Sequence, residues 1–586
     1  MTWLFNNPSD FAKEMVAGFV SANADIVRQV PGGVIRNTQS QQGTVAIIIG
    51  GGSGHYPAFA GLVGQGLAHG AAMGNLFASP SAQQICSVAK AANNGAGVLL
   101  AFGNYAGDVL HFGLARERLI AEGIPCELIA VTDDITSAGQ HEPEKRRGVA
   151  GDLVVFKAAA AAAEQGASLE EVLTVARHAN DRTRTIGVAF SGCTLPGAEQ
   201  PLFTIPQGQM GFGMGIHGEP GIREIAVPGA DELATMLVEH LLNDVPSGVS
   251  IKGARVGAIL NGLGSVKYEE LFVVWHSVQQ RLNEQGIILA DIQVGEFVTS
   301  FDMAGLSLTL IWFSEALEAQ WQAPAYTSAF RRGAVIAAQP RQASSDDECQ
   351  QQTVPAASDA SRSAAVRVVA MVDALAEVVI ANVDELGRID AVAGDGDHGM
   401  GMERGVRAAR ESAHQYLALG AGAGAGTVLQ QAADAWADNA GGTSGAIWGV
   451  ILNTLGTALG NQQQPQADTV VQAVSDAAHG VMHFGKAKPG DKTLVDVLLP
   501  FSEALNENVK KGLPLAQAWH AAASYAQQCA KDTSQLLPKI GRARPLAERS
   551  LGTPDAGAVS LAMIVTAVGG CFTEAAGREK EGAVWQ

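Results

Sequence analysis

Thr44-Val-Ala-Ile-Ile-Ile-Gly-Gly-Gly-Ser-Gly-His-Tyr-Pro57 is the stretch from which the fold can be read. Its first six residues are a continuous apolar run, not an alternating one. That is the pattern of a strand buried on both faces, as in parallel sheets. The run breaks into glycines, and a helical stretch follows. A strand that ends in a glycine turn before a helix places a ligand site at its carboxyl end. The turn is not the dinucleotide fingerprint, because Pro57 stands where the third glycine of G-x-G-x-x-G belongs.

The same unit recurs. Gly97–Phe102 is a second predicted strand, followed by Gly103-Asn-Tyr-Ala-Gly-Asp108, and Glu127–Val131 is a third, followed by Thr132-Asp-Asp-Ile. Thr185–Phe190, Arg255–Leu260 and Leu306–Ile311 predict the strands of a second α/β unit. Strand, loop and helix in alternation argue for α/β architecture with a mostly parallel sheet. Residues 10–30 carry helical periodicity, and the alanine-rich run Lys157–Ala163 reads as a helix. Between Gln339 and Ser363 the chain is polar and aperiodic, as an interdomain linker is. After it come about eight long helical stretches, the first at 364–383 and the last at 556–576, with no convincing strand. The expected organisation is multidomain: two α/β subdomains at 1–184 and 185–335, a linker at 336–363, and an all-α domain at 364–586.

Composition narrows the function. With 47% hydrophobic residues and 17% charged, the chain is globular rather than disordered. A net charge of −19 argues against a nucleic-acid or anionic-membrane partner. Six scattered cysteines without a C-x-x-C pair read as reduced thiols of a cytoplasmic enzyme. The start Met1-Thr-Trp-Leu-Phe-Asn carries no signal-peptide pattern, and 556–572 reads as a buried helix, not a membrane span.

Two stretches carry chemistry. In Met210-Gly-Phe-Gly-Met-Gly-Ile-His-Gly-Glu-Pro-Gly221, five glycines in twelve residues frame a single imidazole, His217. Such a loop lets the backbone approach a small molecule; equally it reads as a glycine-rich surface loop with an idle histidine. In Asp390-Ala-Val-Ala-Gly-Asp395-Gly-Asp397-His398-Gly399, three carboxylates fall within eight residues. Like charges this close repel unless cations sit among them, and hard oxygen ligands suit Mg²⁺; the bland reading is a solvated acidic turn. An EF-hand is excluded by the ligand spacing. Gly441-Gly-Thr-Ser-Gly445 offers amides and hydroxyls at a helix start, a phosphate cradle, and Gly490-Asp-Lys-Thr493 and Gly541-Arg542 add cations in glycine turns. The near P-loop Gly480–Lys486 lacks the Ser/Thr and follows a helix, so it is set aside.

Together these motifs resemble the ATP-dependent dihydroxyacetone kinases, in their single-chain form and along the whole chain. Gly50–His55, Phe77–Ser81, Asn104–Asp108, Arg147–Gly151, Gly213–Gly221 and Asp302–Ser307 match in the first half. Gly394–Asp397, Gly441–Gly445, Gly490–Thr493, Gly541-Arg542 and Asp555–Gly557 match in the second. The resemblance implies an eight-helix barrel for the all-α domain and a homodimer. It implies that His217 binds the carbonyl carbon of a short ketose as a hemiaminal, with Asp108 as general base and His55 as acid/base partner. Gly52, Ser53, Gly54, Tyr56, Ser79 and Gly103 would complete the ketose site. Asp390, Asp395 and Asp397 would hold two Mg²⁺ ions. His398, Gly442, Thr443, Ser444, Arg542, Asp555 and Gly557 would contact ATP, and the two halves would close on each other for transfer. Tyr56 and Gly103 depart from the family's commonest pattern, which has Glu and Lys there. Similar variants occur among erythrulose kinases, so D-erythrulose is the expected substrate, with dihydroxyacetone the alternative and L-erythrulose or FAD cyclisation behind them. A non-enzymatic regulator of this family would be expected to lack the acidic triad or His217, and both are present.

Overall fold

The computed structural model describes residues 2–219, 221–341, 354–394, 396–419, 422–540 and 548–578. The chain divides into two compact units, Met1–Gln350 and Gln351–Gln586.

The first unit holds two six-stranded sheets. Its strands in chain order are β1 (Val27–Val30), β2 (Gly33–Arg36), β3 (Ala46–Ser53), β4 (Gly64–Gln65), β5 (Gly70–Leu76), β6 (Val98–Gly103), β7 (Cys126–Val131), β8 (Thr183–Ala189), β9 (Gln209–Phe212), β10 (Arg223–Ala226), β11 (Arg255–Gly262), β12 (Ile288–Gly295), β13 (Gly305–Trp312), β14 (Ala325–Thr327) and β15 (Arg331–Arg332). The first sheet has the order β1-β2-β5-β3-β6-β7. β3 is central and pairs in parallel with β5 and β6. It reaches Ser53, deeper into the glycine run than Ile49, and every residue in it is buried. Helices Ala82–Ala92 and Ala106–Ala121 cover one face of this sheet, and Gly151–Glu164 and Leu169–Asp181 the other.

The second sheet, β10-β9-β8-β13-β11-β12, corrects the expectation of mostly parallel strands. Only β11–β12 is parallel in it. A parallel pair needs a crossover of a dozen or more residues, usually helical. Residues 296–304 carry no helix, so β13 returns antiparallel beside β11. The expected helix at 10–30 also divides: Phe11–Ala22 is helical, and the chain then turns into β1.

The alanine run has a clear physical role. Helix Gly151–Glu164 is buried at every position from Gly151 to Ala163. Its core also contains Ala189, Ile259 and Ile311 of the second sheet, so it lies between the two sheets. A helix enclosed on all sides is apolar over most of its surface, here all but Asp152 and Lys157 among its buried residues, and small side chains let both sheets approach it.

The second unit is helical, and its described residues contain no strand. Its helices are Asp359–Ile380, Val383–Asp390, His398–Ala418, Ala425–Ala440, Gly442–Leu459, Ala467–Gly485, Val495–Lys510, Leu515–Asp532 and Ala556–Arg578. Eight long helices form a ring in which each packs on the next, and the last packs back on the first. This is the eight-helix barrel, with the short helix Val383–Asp390 added at the end that carries the acidic loop. That helix escaped the sequence reading because two turns give too little periodicity. The first helix starts inside the expected linker, where Ser358 caps it by accepting a hydrogen bond from the Ser361 N–H. No helix among the described residues is long and apolar enough to cross a membrane.

Candidate active site

The first cluster is built at the carboxyl end of β3. Gly54 (φ +106°) turns the chain out of the strand, and His55 follows it into the interior, 1% exposed. Nδ1 of His55 donates to the Thr299 carbonyl at 2.8 Å, and its ring stacks on Phe77 at 5.0 Å. Phe77 itself has φ +50°, a strained value for a non-glycine residue, of the kind that collects at functional sites.

His217 arrives from the other sheet, on the loop between β9 and β10. Its Nε2 lies 3.0 Å from Nε2 of His55. Its Nδ1 lies 2.9 Å from Oε1 of Glu219, whose Oε2 accepts the backbone N–H of His217 at 3.0 Å. Tyr105 and Phe77 meet the imidazole edge-on at 4.6 and 5.4 Å.

These contacts count the protons. A carbonyl and a carboxylate only accept, so Nδ1–H is present on both rings, and the Nε2–Nε2 contact requires one more N–H. The pair therefore holds three N–H protons and one positive charge. Burial first, then the neighbouring His217, pushes His55 down to about 3. Glu219 balances that charge. Burial favours its neutral form, but His217 and then Arg147 overcome this and hold it well below the usual carboxylate range. Arg147 stands 3.9 Å from Glu219 and is anchored on Asp134 at 2.8 Å.

Asp108 lies in the first turn of helix Ala106–Ala121 and is buried. Burial pushes its carboxyl up to about 7, against the pull of a hydrogen bond from Ser79 and the charge of His217. Its Oδ1 has no hydrogen-bond partner among the described residues. A carboxyl poised near neutrality with an open lone pair is suited to taking a proton from a hydroxyl.

The other residues expected at this site have distinct surroundings. Ser53 donates its hydroxyl to the Gly74 carbonyl at 2.6 Å. Gly52 permits close approach of the 77–78 backbone, since a Cβ there would lie 2.7 Å from the Ala78 nitrogen. Gly103 ends β6 beside Tyr105 and the buried Asp152 carboxyl; a Cβ would meet them at 3.2 and 3.3 Å. The Tyr56 ring packs edge-on against Phe19 at 5.8 Å and is 45% exposed, and its carbonyl accepts from the Thr299 hydroxyl.

The second cluster sits at helix ends of the helical unit. Asp390 closes helix Val383–Asp390, and its Oδ2 accepts the N–H of His398 at 3.3 Å. Burial, then the charge of Asp390, pushes Asp397 up. Asp395 lies outside the described residues, and the others contain no group of three or more metal-ligating side chains. His398 touches the hydroxyls of Ser560 (3.1 Å) and Ser444 (3.5 Å), so it links the acidic loop to the start of helix Gly442–Leu459. Gly441 (φ +66°) and Gly442 (φ +58°) open that helix, and a Cβ on Gly442 would meet nothing within 4 Å. The amides of Gly442, Thr443 and Ser444 belong to its first turn. Burial, then Asp496 and Asp390, pushes Asp555 up to about 7, and Asp555 Oδ1 accepts the Ala558 N–H. Gly557 follows it, its carbonyl bonded to Ser560. Arg542 lies outside the described residues. The Gly480–Lys486 stretch is a helix end, with Lys486 in the left-handed cap position.

Sequence reasoning assigned no role to Glu219, Arg147, Tyr105 or Phe77. A carboxylate two residues from the loop histidine was the available signal for Glu219, and Arg147 stood in a matched motif.

Residues 17–329 match the Dak1 domain and residues 392–570 the DAK2 domain. The chain is 65% identical to the L-erythrulose kinase of Pectobacterium atrosepticum, over 97% of this chain and 96% of that protein. It is 51% identical to the D-erythrulose kinase of Mycolicibacterium smegmatis, over 98% and 99%. Among solved structures, the dihydroxyacetone kinase of C. freundii in complex with AMP-PNP and Mg²⁺ aligns over 97% of this chain and 99% of that one, at 28% identity and a TM-score of 0.52.

Proposed function

The chain belongs to the family built from a Dak1 domain followed by a DAK2 domain, and from that premise we propose that it is an ATP-dependent kinase of the terminal hydroxyl of erythrulose, held as a hemiaminal on His217. The observation that carries this reading is the grouping of the His55–His217 pair with Asp108, a buried carboxyl near neutrality that feels the His217 charge. The imidazole selects a carbonyl compound, since a polyol offers no electrophilic carbon. Asp108 takes the proton of the hydroxyl that attacks the γ-phosphorus, and His55 moves the proton exchanged when the ketose is captured. Gly52, Gly54, Ser53 and Ser79 frame this site, and Gly103 leaves room for a fourth carbon. Tyr56 belongs at its rim, where it buttresses the Thr299 segment. The relative at 65% identity favours the L enantiomer over the D enantiomer put first by the sequence reading.

ATP and Mg²⁺ belong to the helical unit in this proposal. Asp390 and Asp397 are hard oxygen donors, and Asp390 is close enough to disfavour the charge of Asp397, which is donor chemistry for a dication. With Asp395 they would hold two ions, which neutralise phosphate charge when bound. The bare Gly442–Ser444 turn, His398, Arg542, Asp555 and Gly557 would receive the nucleotide. Five free thiols among the described cysteines fit a cytoplasmic protein. A homodimer fits the exposed Tyr268, Phe272 and Val273, on the helix that packs beside edge strand β12; sedimentation of the purified protein tests it.

A coupled ADP-release assay over L- and D-erythrulose, dihydroxyacetone, glyceraldehyde and glycerol tests the function. The expected order puts an erythrulose first and glycerol at background. Glycerol turnover matching any ketose would remove the hemiaminal reading, and equal or better kcat/KM on dihydroxyacetone would remove the four-carbon one.

A further inference from the structure

We propose that Glu219, held by Arg147 and admitted by Gly215, is the positioning residue of ketose capture: it fixes the Nδ1–H form of His217 and serves as counter-ion to the adduct. The proposal rests on the reading that His217 bonds the ketose.

Three observations carry it. Glu219 grips the same residue twice, by Nδ1 at 2.9 Å and by the backbone N–H at 3.0 Å, so ring and main chain are fixed together. Arg147 stands behind the carboxylate and is itself tied to Asp134, which follows β7 of the first sheet. The loop of the second sheet is thereby referenced to the sheet that carries His55. The third observation is the absence of a side chain at 215. A Cβ there would lie 2.3 Å from Oε2 of Glu219 and 2.9 Å from the Arg147 guanidinium, so only glycine leaves the pair its place.

The proton count gives this arrangement a chemical purpose. The proton between the two Nε2 atoms moves onto His55. The freed lone pair bonds to the carbonyl carbon, the C=O π pair moves to oxygen, and that oxygen takes the proton back from His55. No proton enters or leaves. Nδ1–H and the imidazolium charge stay on His217 in the adduct, facing the Glu219 carboxylate. Without that carboxylate the Nδ1–H form is no longer enforced, and the retained charge is uncompensated in a partly buried site.

The test is Glu219→Gln in the full-length protein, read by ketose KM and by calorimetric ketose affinity without nucleotide. Both are expected to weaken about 10- to 100-fold, the equivalent of one charge-assisted hydrogen bond. KM for ATP is expected to stay put and kcat to change less than about threefold. Gly215→Ala, which removes no polar group, is expected to weaken ketose affinity in the same direction. ¹⁵N-histidine spectra of the wild type should show Nδ1 of His217 protonated, a signature that a merely structural Glu219 does not require. Ketose affinity of Glu219→Gln within about twofold of wild type overturns the proposal. So does a wild-type His217 that is neutral and protonated on Nε2, which decides the matter even if the variant does not fold. His217→Ala separates the two levels. If it keeps ketose affinity, the hemiaminal reading itself fails; if it loses affinity while Glu219→Gln keeps it, only the role of Glu219 fails.

Discussion

In the first unit Thr299 answers His55 and Glu219 answers His217, so both Nδ1 atoms of the imidazole pair meet an acceptor and its charge meets its opposite. In the second unit burial, then the charge of Asp390, pushes the Asp397 carboxyl up. Asp555 is driven toward neutrality by burial and by Asp496 and Asp390. One cluster pairs its charges; the other, among its described residues, gathers carboxylates that burial and neighbouring carboxylates push up. The difference matches the two partners proposed. A group that must make a bond to carbon has to be oriented in advance, because misplacement is costly in rate. A site for a polyphosphate with its cations gains by grouping carboxylates that the cations would neutralise.

The sharpest way to break this contrast is Asp397→Asn. Turnover is expected to fall by at least about 10³-fold. Melting temperature is expected to hold or rise, because a repulsion is removed. Near-normal activity at ordinary Mg²⁺, measured beside a thermal melt, would end the cation reading.

Asp108→Asn is expected to lower kcat by about 10²- to 10⁴-fold, the usual span of one general base. In the wild type, kcat/KM should fall as pH drops through about 7, because the base form is lost there. Stability carries the opposite sign. The folded carboxyl titrates near 7 and the unfolded one near 3.8, so its contribution is full at low pH and disappears as pH rises through about 7. The Asn variant should therefore gain melting temperature over the wild type at pH 8 but not at pH 4. A flat pH–rate profile from 6 to 8 would deny Asp108 the role.

His217→Ala is expected to raise ketose KM about 100-fold, worth about 3 kcal/mol, while nucleotide affinity measured by calorimetry is unchanged. Parallel loss of both affinities would mean that the clusters do not divide the work. Gly103→Lys should act most gently. Its side chain would start 3.3 Å from the Asp152 carboxyl and fill the space beside Tyr105, shifting the erythrulose-to-dihydroxyacetone ratio of kcat/KM about tenfold toward the smaller ketose. An unchanged ratio would separate substrate choice from position 103.

Much of this architecture was legible in residue order. Thr44–Ile49 announced a strand buried on both faces with a glycine turn at its end, and β3 with His55 stands there. Direction was not legible in the second sheet. A strand buried on both faces has the same apolar run whether its neighbours are parallel or antiparallel, and only the helix-free 296–304 segment held the clue. Helical periodicity around residue 20 hid β1, and an eight-residue helix hid behind the Asp390 loop. For the site, His55 and His217 were each visible within a motif. Their 3.0 Å contact was not, because 162 positions and two sheets separate them and no local pattern encodes the meeting. Arg147 was hidden likewise, since its partner Glu219 comes from a distant loop.

The His217 loop changes what a mutational scan can mean. Alanine scanning is ordinarily subtractive: it deletes atoms and reports what they contributed. Here it becomes additive. At Gly218 (φ +81°) the new methyl would press to 2.1 Å from Phe203, and at Gly215 to 2.3 Å from Glu219. A systematic library would therefore score the glycines of the stretch as indispensable, and a reader of that map would count far more working groups than the loop contains. In the proposed reading two residues of it carry the chemistry; its glycines are sensitive because a Cβ at each would crowd a neighbour. Distinguishing these cases requires substitutions that keep volume and change charge, such as Glu219→Gln, rather than those that merely add bulk.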